Sequence, residues 1–226
     1  PGDPTTLYGS TEGWNTTYIY LSTNSGAGWG SGPVATYSGR RTELAVSYNQ
    51  PTWVYALVAN TNGGLLGVYK STNSGASYSQ VLNGSVSGNY LLNWSCDGTG
   101  TNNGQGTYDL VINVDPNNAN TVYVGGVNLW KSTDGALSFN IVNHWSGCTG
   151  IQTVHADKHF LAFQNNSSTL FEANDGGLYK TSNGGATWTH LSSGMAISQI
   201  YRLGVGQVSA DEVIIGVPFT ERVRTV

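Results

Sequence analysis

One eight-residue phrase occurs four times along the chain and constrains its fold more than any other feature. All copies have a Ser or Thr, an Asp or Asn two positions later, a Gly (once Ala) and a closing aromatic residue. The copies are Ser22–Trp29 (STNSGAGW), Ser71–Tyr78 (STNSGASY), Ser132–Phe139 (STDGALSF) and Thr181–Trp188 (TSNGGATW). They begin 49, 61 and 49 residues apart, and repetition at such a period indicates a repeat architecture.

The composition favours short strands joined by tight turns. Only 10% of the 226 residues are charged, and 31 are glycine, which adopts positive φ without strain. A helical protein would need more Lys, Glu, Ala and Leu. The 7 Trp, 13 Tyr and 5 Phe residues need burial, which argues against disorder.

Each phrase closes a unit that is typical of a propeller blade. Upstream of it lie an apolar run, a turn-rich stretch and a second β run, so that a unit has four short strands in about 50 residues. We therefore predict an all-β fold, a β-propeller of four-stranded antiparallel blades, with four to five blades in this chain. The prediction is one domain, 1–226, with approximate repeats 1–40, 41–90, 108–145, 155–195 and an incomplete one at 198–226.

Within the phrase we predict a structural role for the recurring residues. The Asp or Asn can hydrogen-bond backbone amides across the hairpin, the leading Ser or Thr can bond that side chain, and the Gly supplies positive φ. A metal or ligand site is the alternative. The residues concerned are Ser22, Asn24, Gly26, Trp29, Ser71, Asn73, Gly75, Tyr78, Ser132, Asp134, Phe139, Thr181, Asn183, Gly185 and Trp188.

The four phrases resemble the Asp-box (BNR) repeat of sialidases, sortilin-type receptors, two-propeller xyloglucanases and secreted bacterial repeat proteins. The segments Val154–Phe163, Asn174–Lys180 and Ser198–Arg202 are similar to secreted bacterial Asp-box propellers related to the sortilin and glycoside-hydrolase groups. The resemblance ends at Val217–Val226, where the chain reads VPFTERVRTV. Such propellers usually close six to ten blades, so the resemblance implies a partial propeller, either a fragment or one completed by another chain.

Two cysteines occupy matching places in successive repeats. Cys96 follows Asn-Trp-Ser and Cys148 follows His-Trp-Ser-Gly, and each precedes the next phrase by a similar distance. Because equivalent loops of neighbouring repeats are adjacent in space, a disulfide is geometrically reasonable. The alternative is two buried free thiols. A disulfide implies an oxidising location, so we expect a secreted, extracellular or cell-surface protein.

Charge and hydropathy exclude two classes of partner. The net charge is −4 and the basic residues form no stripe, so we expect no nucleic acid. No apolar run reaches about 18 residues, so we expect no membrane span. The chain begins at Pro1, which is expected of a mature or trimmed product.

The entrances of the inner strands carry the residues that we predict for chemistry. Alternation in the run from His155 to His159 would place His155, Asp157 and His159 on one side. They could bind a divalent metal or orient a proton-transfer group, or form a hydrogen-bonded network that fixes blade register. The catalytic candidates are Glu43, Asp109 and Asp157, and the ligand-binding candidates at these entrances are His155, His159 and Arg202.

Two further features concern ligands. The loop after Cys96 is rich in oxygen ligands, so Asp97, Asn102 and Asn103 can contribute to a Ca²⁺ site, although a solvated loop is the alternative. No other cofactor is expected. Trp94 and Trp145, beside the two cysteines, would stack on sugar rings if exposed, whereas burial beside a disulfide is the other interpretation.

These features lead to three hypotheses for function. The first is a non-catalytic extracellular module of a larger secreted protein that binds a glycan or protein ligand. The second is a fragment of a polysaccharide-degrading glycoside hydrolase that uses two carboxylates across a cleft. The third is an assembly unit whose open edges pair with other chains of the same parent protein. Sialidase chemistry is excluded because no blade-spaced triad of arginines can be identified.

Overall fold

The structure is a computed structural model that describes residues 3–195 together with the strands at 202–205 and 213–216. The regular structure of these residues is β-strand, and they contain no helix that could cross a membrane. The chain divides into two compact units, Pro1–Leu191 and Ser192–Val226. The prediction of an all-β fold is confirmed.

All the described sheets are antiparallel, and strands that follow each other in sequence are neighbours in each sheet. Sheet I has three strands, β1 (Leu7–Ser10), β2 (Thr17–Ser22) and β3 (Ala35–Tyr37). Sheet II has four, β4 (Arg41–Val46), β5 (Val54–Ala59), β6 (Leu65–Ser71) and β7 (Ser79–Asn83). Sheet III has β8 (Val111–Val114), β9 (Val122–Gly125), β10 (Leu129–Ser132) and β11 (Asn140–Asn143). Sheet IV has β12 (Lys158–Phe163), β13 (Leu170–Asn174), β14 (Gly177–Thr181) and β15 (Thr189–His190).

The second unit contains one hairpin, in which β16 (Arg202–Val205) pairs with β17 (Val213–Gly216). Sheet I corresponds to the last three strands of the other sheets in the first unit. Its strand β2 ends at Ser22, where a phrase begins, just as β6 ends at Ser71. Strand β1 therefore matches β5, and no inner strand precedes it among the described residues.

The first strands of neighbouring sheets lie side by side, with β4 against β8 and β8 against β12. One apolar core fills the space between sheets II and III, and a second fills the space between sheets III and IV. Leu57 and Val124 belong to the first core, and Leu129 and Leu161 to the second. Since burial of one such side chain contributes roughly 1.5–3 kcal/mol, the sheets stabilise one another.

The second strands of sheets II and III are buried along their whole length. Every residue of β5 and of β9 is buried. Both strands read as continuous apolar runs because neighbouring sheets cover both of their faces, whereas a half-exposed strand would alternate.

The four repeated phrases form hairpin loops with one hydrogen-bond pattern. The leading hydroxyl donates to the Asp or Asn side-chain oxygen at 2.7–3.0 Å. It also accepts a hydrogen bond from the backbone N–H of the fifth residue at 2.9 Å. The Asp or Asn oxygen accepts another from the backbone N–H of the seventh residue at 2.8–3.0 Å. Two side chains thus satisfy the backbone amides that the turn leaves unpaired.

The backbone of these loops is left-handed at two consecutive positions. The fourth and fifth residues of all four phrases have φ between 57° and 95°. Ala136 adopts this conformation at 72°, where most copies have glycine. A left-handed alanine costs about 1–2 kcal/mol, and the Ser132 hydroxyl offsets part of that cost by accepting a hydrogen bond from the Ala136 N–H.

The closing aromatic residues are buried to different extents. Trp188 is 5% exposed and packs in the core between sheets III and IV. Trp29 is 39% exposed and lies over Gly9, where a Cβ would come within 3.2 Å of the indole. The same sequence position therefore supports the core in one blade and remains partly at the surface in another.

Substitutions of Asp134 test how much this hydrogen-bond pattern stabilises the fold. The Asp134 carboxylate accepts hydrogen bonds from the Ser132 hydroxyl and from both the N–H and the hydroxyl of Ser138. We expect Asp134→Ala to lower the free energy of unfolding by about 1–3 kcal/mol in urea denaturation, because it leaves these donors unpaired. Asp134→Asn is the matched control and should stay much closer to wild type, since the other three phrases use Asn. An equal loss in both variants would contradict the role of the side-chain oxygen.

Candidate functional site

Two tryptophan-bearing loops of successive blades are joined covalently. The predicted disulfide between Cys96 and Cys148 is confirmed, with the two Cα atoms 6.0 Å apart. It links the loop that follows sheet II to the loop that follows β11 of sheet III. Trp94 lies two residues before the first cysteine, and Trp145 lies three residues before the second.

A buried amide also ties the two loops together. Asn128, fully buried in the β9–β10 turn, donates to the Asn93 carbonyl at 3.1 Å. Its side-chain oxygen accepts a hydrogen bond from the Trp145 N–H at 3.2 Å. One side chain of sheet III therefore holds the backbone beside each tryptophan.

A buried histidine forms a further link. The His144 Nε2 atom lies 2.9 Å from the Trp94 carbonyl oxygen, and its Nδ1 accepts a hydrogen bond from the Ser146 N–H at 3.2 Å. The ring is 3% exposed. Because the Nδ1 atom accepts, the proton is on Nε2, which donates to the carbonyl.

The tryptophan side chains themselves remain accessible. Trp94 is 42% exposed and Trp145 is 44% exposed, although their backbones are fixed by the disulfide, Asn128 and His144. The Asn93 side chain also accepts hydrogen bonds from both the N–H and the hydroxyl of Ser95. The arrangement presents two aromatic surfaces on constrained backbone, and we call Trp94, Trp145 and the loops that carry them the tryptophan platform.

Sequence reasoning missed Asn128 and His144 as members of this site. The available signal for Asn128 was its place in an apolar run, since all residues from 121 to 130 are buried. A polar residue in such a run needs hydrogen-bond partners. For His144, the signal was its neighbour Trp145 in one of the two similar cysteine loops.

The catalytic candidates Asp109 and Asp157 meet beside the start of β12. Asp109 is fully buried, and no donor group of the described residues hydrogen-bonds to either of its carboxyl oxygens. Burial raises the pKa of Asp109 to about 8, and the nearby Asp157 side chain adds to this rise. With its pKa raised to this value, the Asp109 carboxyl group is mostly protonated at neutral pH.

A buried ion pair lies next to these carboxyl groups. The Lys158 ammonium is 3.3 Å from the Glu172 carboxylate, and both side chains are inaccessible to solvent. Burial lowers the pKa of Lys158, while Glu172, Asp157 and Asp109 act in the opposite direction. Asn143 of sheet III donates to Glu172 at 2.6 Å, so this network fastens sheet III to sheet IV.

The burial of Asp109 does not suit one of the two acids of a glycosidase. Retaining enzymes separate their two carboxyl groups by about 5–5.5 Å and inverting enzymes by roughly 6.5–9.5 Å. In either kind of enzyme both groups face a cleft, whereas the Asp109 carboxyl group is sealed from solvent here. The third candidate, Glu43, is engaged by Arg41 at 2.8 Å instead.

The run from His155 to His159 does not have the uniform extended conformation that we expected. Asp157 has a φ of 65°, and β12 begins only at Lys158. A further irregularity between Lys158 and Phe160 breaks the alternation of side chains. The structure therefore does not gather His155, Asp157 and His159 as one group of metal ligands among the described residues.

The two histidines have separate surroundings. His159 Nε2 lies 2.8 Å from Asp175, and the Tyr108 hydroxyl donates to the same carboxylate at 2.9 Å. His155 packs against Gly176, where any side chain would clash with it. The remaining candidate, Arg202, begins β16, but its side chain lies outside the described residues.

The oxygen-rich loop uses its side chains within the protein. Asp97 accepts hydrogen bonds from the N–H and the hydroxyl of Thr99. The Asn102 amide pairs with the N–H and carbonyl of Leu65, at 2.9 and 2.8 Å. These contacts do not bring Asp97, Asn102 and Asn103 together. Ca²⁺ binding by this loop stays a prediction.

An apolar groove of about 430 Å³ runs along the inner strands of sheets II, III and IV. Val46, Val114 and Phe160 line it. Tyr48 and Phe160 are 64% and 62% exposed there. The groove adds a second aromatic surface, remote in sequence from the cysteine loops.

No protein-family model and no curated protein matches the chain. An ancestral GH74 enzyme matches 97% of the chain with a TM-score of 0.54 and 16% identity. A chain of the nidogen/laminin complex matches 95% with a TM-score of 0.51 and 10% identity. The GH74 enzyme of Niastella koreensis matches 77% with a TM-score of 0.47 and 20% identity.

The chain spans 28% of the ancestral GH74 enzyme, 25% of the Niastella enzyme and 73% of the nidogen/laminin chain. The solved structures that it resembles are β-propeller proteins. At this level of sequence identity the similarity concerns the fold and assigns no activity. The predicted β-propeller fold is confirmed.

The Asp109 pair predicts an unusual dependence of stability on pH. Its pKa of about 8 in the folded protein lies above the ordinary value of 3.8, so the folded state binds one more proton between these values. The stability that Asp109 contributes is therefore complete below about pH 4 and is lost as the pH rises through about 8. Asp109→Asn cannot ionise at this position. Relative to this variant, the free energy of unfolding of wild type should fall by up to ~1.4 kcal/mol per pH unit in this window.

Urea unfolding of wild type and Asp109→Asn at pH 5, 6, 7 and 8 measures this difference. Other groups titrate in both proteins, so their contributions largely cancel. Parallel stability profiles for the two proteins would contradict a protonated Asp109.

The disulfide should stabilise both the fold and the tryptophan platform. We expect the double variant Cys96→Ser, Cys148→Ser to lower the free energy of unfolding by about 2–4 kcal/mol, because it frees a long loop in the unfolded chain. Hydrogen exchange at residues 93–97 and 144–149 should increase in the folded variant. Unchanged exchange there would show that Asn128 and His144 suffice to hold the loops.

Proposed function

We propose that the chain is an extracellular β-propeller module that binds glycans through the tryptophan platform. The observation that carries this proposal is the exposure of Trp94 and Trp145 on loops that are tied to each other. A rigid platform loses little conformational entropy on binding, which favours affinity.

The chemistry of the platform suits a neutral sugar. The C–H faces of a pyranose ring are apolar and pack on an indole, while its hydroxyl groups need donors and acceptors nearby. Ser95, Ser146 and Asn103 supply hydroxyl and amide groups in the same loops. The chain as a whole is only 10% charged, so a neutral glycan fits it better than a charged ligand.

The disulfide supports the extracellular part of the proposal. Disulfides persist in oxidising compartments, whereas cytosolic thiols are kept reduced. Cys96 and Cys148 are both consumed in this bond. A secreted or cell-surface location is therefore consistent with glycans as ligands.

The carboxyl groups favour binding over hydrolysis. The hydrolase hypothesis needs a general acid and a second carboxylate facing a cleft. Asp109 is sealed from solvent, Asp157 accepts a hydrogen bond from Gln105, and Glu43 is paired with Arg41. These contacts support a stabilising role for the acids, so hydrolysis is the weaker hypothesis.

Alanine substitution at the platform tests the proposal. We expect wild type to bind at least one neutral polysaccharide in a panel of plant and bacterial glycans, measured by glycan array and calorimetry. Trp94→Ala and Trp145→Ala should each weaken that binding at least tenfold, because each removes one stacking surface. Trp14→Ala is the matched control, since Trp14 is 82% exposed but lies in the connection between β1 and β2, and the affinity of this variant should stay unchanged.

The remaining outcomes separate the hypotheses. Loss of affinity in the Trp14 variant alone would overturn the assignment of the platform. Release of reducing ends by wild type and not by Asp157→Asn would favour the hydrolase. If the chain binds proteins but none of the glycans, a protein ligand would be favoured.

A further inference from the structure

The cysteine loops bring together three side chains that can bind a metal ion. One ligand atom from each of Cys96, His144 and Cys148 lies within 4.8 Å of the others. Among the described residues, no other three His, Cys, Asp or Glu side chains have that spacing. The sulfur atoms are bonded to each other, so the group is available only after reduction.

The hydrogen bonds of His144 resemble those of a metal-binding histidine. Such histidines commonly donate one ring N–H to a backbone carbonyl, which fixes the tautomer and leaves the lone pair on the other nitrogen. His144 donates Nε2–H to the Trp94 carbonyl at 2.9 Å. The lone pair is on Nδ1, where the Ser146 N–H donates at the longer distance of 3.2 Å.

Cleavage of the disulfide would give the sulfur atoms a suitable spacing. Two thiolates bound to Zn²⁺ at about 2.3 Å each, in tetrahedral geometry, lie roughly 3.8 Å apart. That is close to the contact distance of two unbonded sulfur atoms, so the loops need to move little. Two thiolates and one imidazole are ligands that Zn²⁺ prefers.

We propose that Cys96, Cys148 and His144 form a Zn²⁺ site when a dithiol reductant has cleaved their disulfide. Reduction adds two electrons and two protons to the disulfide, while the reductant becomes a disulfide itself. Binding of the metal then displaces the two thiol protons to solvent. The fourth position is open to a water molecule, as in zinc sites with three protein ligands.

The metal would connect the same two loops as the disulfide does. The tryptophan platform would thus remain assembled in a reducing environment, held by coordination in place of a covalent bond. This proposal goes beyond glycan binding and does not rest on it. The three ligands are independent of the indole side chains that carry the proposed function.

Cobalt binding to the full chain tests the site, because Co²⁺ reports its ligands spectroscopically. After reduction with a phosphine, we expect one Co²⁺ per chain, with thiolate-to-cobalt charge-transfer absorption that Zn²⁺ removes by competition. The oxidised protein should show no such band. Absence of the band in the reduced wild-type protein would overturn the proposal.

Two variants assign the third ligand. His144→Gln should weaken Co²⁺ binding at least tenfold, whereas His190→Gln, an exposed residue of β15, should leave it unchanged. Equal affinity of wild type and His144→Gln would overturn the role of His144. If His144→Gln does not fold, X-ray absorption spectroscopy of the reduced, zinc-loaded wild type identifies the ligands instead. We expect two sulfur atoms and one imidazole bound to the zinc. A spectrum without imidazole would refute the site.

Discussion

The stacking of successive sheets is the interaction on which the rest of this structure depends. No single blade can bury β5 or β9 alone, because every residue of these strands needs cover on both faces. Neighbouring sheets provide that cover through the two apolar cores. The loops at the ends of the strands consequently meet in fixed pairs, and all the polar contacts between blades follow from this arrangement.

Stacking also determines the ionisation of the acids between sheets III and IV. Asp109, Lys158 and Glu172 are inaccessible to solvent, so their charges depend on each other more than on water. Burial of this kind disfavours isolated charges. The group therefore holds a protonated Asp109 and an ion pair, which suits a stabilising contact between blades better than hydrolysis.

The candidate function arises between repeats rather than within them. The repeated phrases satisfy their own backbone amides and leave few groups for a ligand. The tryptophan platform instead depends on contacts from one blade to the next, through the disulfide, Asn128 and His144. Variation at these places can change a ligand without disturbing the blades.

The sequence by itself determined the all-β class and the blade period, because these depend on local turn chemistry and on repeat phase. Repeat phase also favoured a bond between Cys96 and Cys148, which the structure confirmed over two free thiols. The tertiary structure decided which polar side chains meet. Alternation failed at Asp157, since its left-handed backbone cannot be read from residue type. The sequence also could not predict the proximity of Asp109 to Asp157 or the hydrogen bonds of the Asn128 side chain. The two acids are 48 positions apart, and Asn128 is 35 and 17 positions from its two partners, so tertiary packing determines these distances.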